Sequence, residues 1–502
     1  MTTPSAQTDR FVHDRLPPRD QWPELRYDLP ELRIADQANL VERLLDGAAA
    51  RGWADRPLLR SPQITFTYAE TRERVDRIAN YLVHELKLEP GNRVLLRGGN
   101  SIGMALSWLA VVKAGLIAVA TMPLLRATEL SKVIDKAQPV AAICDARLLQ
   151  ELEQAQQAFP ALQHVLRFNS PDDPSDLGQL VAHQAATFTA CPTSADDIAL
   201  LAFTSGTTGA PKAVVHTHRD VLAACEAWPR HVLRPTSDDI VTGSPPLAFT
   251  FGLGGLLLFP MWAGASIYYP DANYNPETMV RQMREQGVTT CYTSPTFYRQ
   301  LAPHMKAIGV PSLRTCVSAG EALPDATRQL WKQATGIEML DGIGATEMFH
   351  IFISSAGADV RRGAVGKVVP GYHAKVVDEQ GAEVPRGTVG KLAVIGPTGC
   401  RYMDDERQRR YVPDGWNRPG DAFVQDEDDY FHYQARDDDM IIKAVVVLKP
   451  GHAGDAAMIK TLQDHVKASI APYKYPREVA FVTALPRTET GKLQRFRLRQ
   501  TP

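Results

Sequence analysis

Apolar positions recur along the first third of the chain in two alternating rhythms. Spacings of three and four predict helices over 40–50, 69–86 and 104–113, and short apolar runs predict strands at 64–67, 93–96, 117–121 and 140–144, with another helix before the last of these. Helices alternating with buried strands imply a largely parallel sheet covered on its faces. The stretch 169–197, rich in Pro, Asp, Ser and Thr, reads as a surface crossover. A second α/β run begins with an apolar strand at 198–203 and continues through a helix at 276–286, strands at 289–293 and 314–317, and a helix at 325–335.

Beyond Gly357 the texture changes. Gly363, Gly366, Gly371, Gly381, Gly390 and Gly396 punctuate short β-rich runs such as 373–377 and 391–395, which predicts a small antiparallel β subdomain. From about Asp437 the pattern holds one strand at 444–448, one amphipathic helix at 456–470, a strand near 479–482 and a basic tail. The expected class is α/β, with a large N-terminal domain over 1–435 (two α/β subdomains and the β subdomain) and a small α+β C-terminal domain over 436–502.

Composition narrows the field. A chain of 502 residues is too long for one compact core. With 44% hydrophobic residues, and 55 basic against 57 acidic side chains, it is neither disordered in character nor basic enough to carry a nucleic-acid footprint. Cys144, Cys191, Cys225, Cys291, Cys316 and Cys400 lie far apart with no CxxC pair. A disulfide scaffold and a zinc ribbon are therefore not suggested, and a reducing, cytoplasmic compartment is expected. Charged Asp9, Arg10, Asp14, Arg15 and Arg19 precede any apolar run, and the most apolar stretch, 253–265, is short and broken by Gly254, Gly255 and Pro260. No membrane span or secretion signal is expected.

The most informative string is Thr204-Ser205-Gly206-Thr207-Thr208-Gly209-Ala210-Pro211-Lys212, directly after the strand at 198–203. Two glycines let backbone N–H groups approach an anion, four hydroxyls add donors, and Lys212 adds positive charge. It is not a Walker A loop, because Gly206 and Gly209 are three apart and Ala213 follows Lys212. A generic run of this composition is more often a polar surface loop.

The order of residues decides between these readings. The string resembles the signature of the adenylate-forming superfamily, which includes acyl-CoA synthetases, luciferases and the adenylation domains of peptide synthetases. Ser318-Ala319-Gly320-Glu321, Asp341-Gly342-Ile343-Gly344-Ala345-Thr346-Glu347, Trp416-Asn417-Arg418-Pro419-Gly420-Asp421, Arg436-Asp437-Asp438-Asp439 and Pro486-Arg487-Thr488-Glu489-Thr490-Gly491-Lys492 follow in the family's order across nearly the whole chain.

Attack of a carboxylate on the α-phosphorus of ATP brings two anions together, so such a site needs a metal, a lysine and backbone donors. The resemblance implies that Glu347 is a Mg²⁺ ligand and that Thr346 donates to the α-phosphate. Asp421 would accept from the ribose hydroxyls, and Arg436 would pair with ribose or phosphate. Ser318, Ala319, Gly320 and Glu321, with Asp341, Gly342 and Ile343, would line the adenine slot. Lys492 would lie against the carboxylate and α-phosphate oxygens, and Asp438 would be the hinge of a mobile C-terminal domain. Without the resemblance, Glu347 reads as a solvated strand-end carboxylate, Asp421 as a turn residue and Lys492 as a solvated tail lysine.

Within the family the sequence looks closest to aryl-CoA ligases for benzoate and 2-aminobenzoate. The segments 11–23, Leu340-Asp341-Gly342-Ile343-Gly344-Ala345-Thr346-Glu347-Met348-Phe349-His350-Ile351-Phe352 and Phe249-Thr250-Phe251-Gly252 carry this likeness. It implies ATP, Mg²⁺, coenzyme A and an aryl carboxylate as ligands, a place in aromatic compound degradation, no nucleic-acid or membrane partner, and a monomer or homodimer. A flat aryl acid needs an apolar slot, which Phe249, Ala319, Ile343 and His350 are expected to line. His350 reads equally as a satisfied interior histidine.

Two other patterns compete. Gly99-Asn100-Ser101-Ile102-Gly103 matches G-x-S-x-G between a strand and a helix, which raises a serine acyl hydrolase, although Ser101 more plainly caps the next helix. His216-Thr217-His218 could suggest a metal, but no third ligand is evident nearby, and these read as strand-end and helix-cap residues.

One departure from the family stands out. Lys443-Ala444 runs straight into Val445-Val446-Val447-Leu448-Lys449-Pro450-Gly451, which resembles a strand that the family places roughly forty residues later. The C-terminal domain is thus expected to be internally shortened, without the glycine-led hairpin that lines the family's pantetheine tunnel. An adenylating or adenylate-binding protein that no longer completes CoA transfer is the alternative this raises.

Overall fold

The computed structural model describes residues 3–204, 211–270, 275–436, 443–449, 451–469, 476 and 478–485. Among them, six strands form one sheet in the order His164–Phe168, Ala141–Asp145, Arg93–Arg97, Ile117–Thr121, Ile198–Thr204, Lys212–Thr217. All its pairs are parallel except the last, where Ile198–Thr204 and Lys212–Thr217 run antiparallel across the glycine-rich string. A nine-stranded sheet is parallel through Pro57–Arg60, Ser266–Tyr268, Ile240–Gly243, Thr290–Thr293, Thr315–Ser318 and Leu340–Gly344. Its outer strands Thr65–Thr67, Ile351–Ser355 and Lys367–Val368 are antiparallel.

The expected antiparallel subdomain is present as His373–Val377, Val389–Ile395, Asp421–Gln425 and Phe431–Arg436. In the last segment Lys443–Val446 pairs in parallel with Glu478–Phe481, and the helix Ala456–Ser469 lies between them in sequence. Parallel pairing requires such a crossover.

Local chemistry sets the helix starts. Thr67 and Glu70 form a reciprocal capping box before Tyr68–Asn80, Thr217 and Asp220 do the same before His218–Glu226, and the Ser101 hydroxyl accepts from the Met104 N–H at 3.2 Å before Ile102–Lys113. Ser101 is thus a helix cap. Thr217 is the cap and His218 the first residue of its helix, in keeping with the strand-end and helix-cap reading of His216-Thr217-His218. The helix expected over 40–50 stops at Leu44 and gives way to a 3₁₀ turn over Asp46–Ala48, where Gly47 lowers helix propensity. The strand expected at 444–448 spans Lys443–Val446.

Ile102–Lys113 is buried on nearly every face, as an apolar helix between two sheets must be. Its Trp108, Leu109 and Val112 share one contiguous core with Val94 and Leu96 of the six-stranded sheet and Leu58, Ile267, Tyr292 and Val317 of the nine-stranded sheet. The helix ends on Lys113, which is 1% exposed and held by the carboxylates of Asp46, at 2.7 Å, and Asp76. A buried ammonium needs such partners.

Candidate active site

Two clefts open where strands of the two large sheets end, the usual place for ligands in open α/β sheets. The first, about 550 Å³, is lined by Gly320, Glu321, Asp341, Ile343, Gly344, Asp421 and Tyr433, among others. The second, about 440 Å³, is lined by Thr204, Lys212, Thr346, Glu347, Tyr402 and Arg418, among others. Gly344 and Asp421 belong to both, so the two form one continuous trough.

The first cleft is built on backbone freedom and two largely buried carboxyls, Asp341 and Asp421. Two residues past the strand Thr315–Ser318, Gly320 turns at φ +84°, a left-handed conformation that glycine adopts without strain. Glu321 accepts from the Thr296 hydroxyl at 2.7 Å. The Ser318 hydroxyl and the Thr204 hydroxyl are buried and meet no hydrogen-bond partner among the described residues. Thr204 lines the second cleft, where a bound polar ligand could satisfy its hydroxyl. Asp341 sits with its side chain 12% exposed. Burial pushes its carboxyl up from 3.8 to about 6, with Arg328, 3.8 Å away, and the Gly342 N–H pulling back. Asp421 is 5% exposed, at the start of its strand.

The second cleft centres on charge. Lys212 Nζ donates to the Tyr402 hydroxyl at 3.1 Å, and that hydroxyl donates to Glu347 Oε1. Lys212 and Glu347 themselves lie 3.7 Å apart. Glu347 lies in the 3₁₀ turn Thr346–Met348, not on a strand end as the sequence suggested, because Leu340–Gly344 closes two residues earlier. His216 holds that turn, its Nε2 donating to the Thr346 carbonyl at 2.7 Å. Burial lowers the His216 pKa and favours the neutral ring. Phe349 follows at φ +69°, a strained conformation for a bulky residue, and its ring packs edge-on to His216.

One carboxylate beside a hydroxyl residue fits Mg²⁺, which is commonly held by one or two carboxylates together with substrate phosphates. No cluster of three or more His, Cys, Asp or Glu suited to a resident metal occurs among the described residues.

The four residues expected around an acyl slot are placed unequally. Ala319 is buried and Ile343 lines the first cleft, whereas Phe249 is 37% exposed. His350 is buried among Trp228, Phe251 and Phe259, with ring centroids 5.3, 5.5 and 4.5 Å away. Burial pushes its pKa down to about 3, so the ring is neutral. Phe251 is therefore the aromatic of the 249–252 string that meets His350. Ser205, Gly206, Thr207, Thr208, Gly209, Asp438 and Lys492 lie outside the described residues, and Arg436 is described only as the last residue of its strand.

Tyr402 and His216 were missed as site residues. Nothing in their sequence neighbourhood marks them, because each acts by reaching a residue 55 or 130 positions away.

Comparison with known proteins places the chain in context. The AMP-binding enzyme family matches residues 47–401 and the AMP-binding enzyme C-terminal domain matches 434–492. Benzoate–CoA ligase of Thauera aromatica is 31% identical over an alignment covering 94% of this chain and 97% of that protein. That alignment runs over 513 residues, more than the 502 of this chain, so the relative carries positions with no counterpart here. Among solved structures, the anthranilate CoA ligase AuaEII in complex with anthranoyl-AMP superposes with a TM-score of 0.81 at 30% identity, covering 94% of this chain and 98% of that one. A benzoate CoA ligase from Burkholderia xenovorans LB400 gives 0.78 at 29%, covering 92% and 100%.

Proposed function

We propose, on the premise that this chain belongs to the AMP-binding enzyme family, that it is an AMP-forming acid–CoA ligase for an aromatic carboxylic acid of the benzoate or 2-aminobenzoate type. The observation that carries this reading is the trough in which a partly apolar cleft and a charged cleft meet at Gly344 and Asp421. Such a trough suits a nucleoside at one end and a polyphosphate at the other. Relatives named for benzoate and anthranilate support the aryl class.

In the proposed reaction a carboxylate oxygen of the acid attacks the α-phosphorus of ATP. The bond from that phosphorus to the bridging oxygen breaks, and pyrophosphate leaves. Ser318 to Glu321 and Asp341 to Ile343 flank adenine, Asp421 accepts from the ribose hydroxyls, and Arg436 pairs with ribose or phosphate. Thr204, Ser205, Gly206, Thr207, Thr208, Gly209 and Lys212 cradle the leaving phosphates, and Thr346 donates to the α-phosphate. Glu347 would hold Mg²⁺, which neutralises phosphate charge. Lys492, delivered by rotation about Asp438, cancels the repulsion between carboxylate and phosphate in the transition state. Ala319, Ile343 and neutral His350, which packs against Phe251 rather than the more exposed Phe249, enclose the ring of the acid. The CoA thiolate then attacks the acyl carbon, the bond to the AMP oxygen breaks, and the aryl-CoA and AMP leave.

ATP–pyrophosphate exchange dependent on benzoate or 2-aminobenzoate is the test. Absence of exchange with every member of a panel of aryl and short aliphatic acids would refute the reading. A second reading, adenylation without CoA transfer, is favoured by the direct run from Lys443 into the strand that pairs with Glu478–Phe481. Parallel assays of pyrophosphate release and aryl-CoA formation separate the two readings, since pyrophosphate without thioester would select the second.

A further inference from the structure

We propose that Tyr402 is a positioning residue for the phosphate chemistry: its hydroxyl holds the Glu347 carboxylate and the Lys212 ammonium apart, in the arrangement that receives a triphosphate and its divalent cation. The inference rests on the ligase reading above and deepens it.

Tyr402 is fully buried. Its backbone bridges to Val214 of the strand Lys212–Thr217, flanked by Val215 N–H to Arg401 O at 2.8 Å and Met403 N–H to Ala213 O at 2.9 Å. The Tyr402 N–H donates to Gln408 Oε1 at 2.9 Å, and its ring packs edge-on to Tyr411 with centroids 5.6 Å apart. The backbone bonds fix where the side chain starts, and the contact with Tyr411 fixes one face of its ring. A hydroxyl has one proton to give and lone pairs to accept with. Here the proton goes to Glu347 Oε1 and a lone pair takes the Lys212 donor.

The arrangement has a consequence for charge. An ammonium and a carboxylate 3.7 Å apart would otherwise close to the 2.7–2.9 Å of a charge-assisted hydrogen bond and neutralise each other. The interposed hydroxyl satisfies both groups while leaving each with coordination to spare. Both line the second cleft, as Tyr402 does. An incoming phosphate then meets a lysine, and its cation meets a carboxylate, two groups whose direct pairing is the looser one at 3.7 Å.

Tyr402→Phe removes the one oxygen and keeps the ring. Binding of the Mn²⁺–ATP complex, followed by the rise in water-proton relaxation rate when the complex passes from free solution onto the protein, is expected to weaken about tenfold or more, the scale of a hydrogen bond to a charged group. The exchange rate is expected to fall by a similar factor. AMP affinity, which needs neither the leaving phosphates nor the metal, and the melting temperature are expected to stay at wild-type values. Retention of Mn²⁺ affinity and exchange rate within twofold would overturn the proposal. So would a parallel loss of AMP affinity and melting temperature, or failure to fold, because either would make Tyr402 a packing residue. Mn²⁺ binding with ATP requires no carboxylic acid, so it tests Tyr402 even if no acid supports exchange.

Discussion

Asp341 offers a perturbation whose size follows from its surroundings. Its carboxyl is raised from 3.8 to about 6, first by burial, with Arg328 and the Gly342 N–H only partly offsetting that effect. A rise of this size corresponds to about 3 kcal/mol between the two protonation states. Because the folded value is the higher one, the unfolded chain releases this proton first. Stability from this group is therefore intact below about pH 4 and lost as pH rises through about 6. Asp341→Asn cannot ionise and keeps an acceptor for the Gly342 N–H. Arg328 stays satisfied in the variant, since it also holds Glu338 at 2.7 Å and the Met339 carbonyl at 2.9 Å. The variant is thus expected to gain on the wild type by up to about 3 kcal/mol between pH 4 and pH 7, with most of the gain complete by pH 6. Thermal or urea unfolding of both proteins without nucleotide, at intervals across that range, measures it. A stability difference that stays flat with pH would refute the reasoning, because the carboxyl would then be solvated in the folded state.

Three further outcomes are expected. Lys492→Ala should depress ATP–pyrophosphate exchange by about 10²–10³-fold while changing ATP affinity only modestly, since its charge acts where negative charge converges; an unchanged exchange rate would return it to a solvated tail. Lys113→Met should cost about 3–5 kcal/mol near pH 8 by taking the ammonium from the buried Asp76 carboxylate and the partly buried Asp46 carboxylate. The cost should shrink toward pH 5, because burial raises both pKa values and protonation then relieves the charge; denaturation at the two pH values checks this. Ser101→Ala should lose about 1 kcal/mol of capping energy and leave exchange intact, and the wild type should resist serine-directed fluorophosphonate; labelling at Ser101 would revive the hydrolase reading.

Much of the fold was legible because it is written in local rhythm. The helix at 325–335 and the strands at 117–121 and 373–377 were placed with the bounds they have in the structure, and the glycine-punctuated region beyond Gly357 is the antiparallel sheet it was read to be. Periodicity reports which face of a segment is buried, and a glycine or a capping hydroxyl reports where the segment must turn. Membership of the AMP-binding enzyme family was legible for a different reason, since its motifs follow one another in order along the chain. What tertiary structure alone decided are contacts between residues distant in the chain. The placing of Phe251 rather than Phe249 against His350, the burial that raises Asp341, and the Lys212–Tyr402–Glu347 chain all depend on which segments the two sheets bring together. A hydrogen bond across 55 or 190 residues leaves no periodic trace. It exists only once the core has excluded water and fixed the distance.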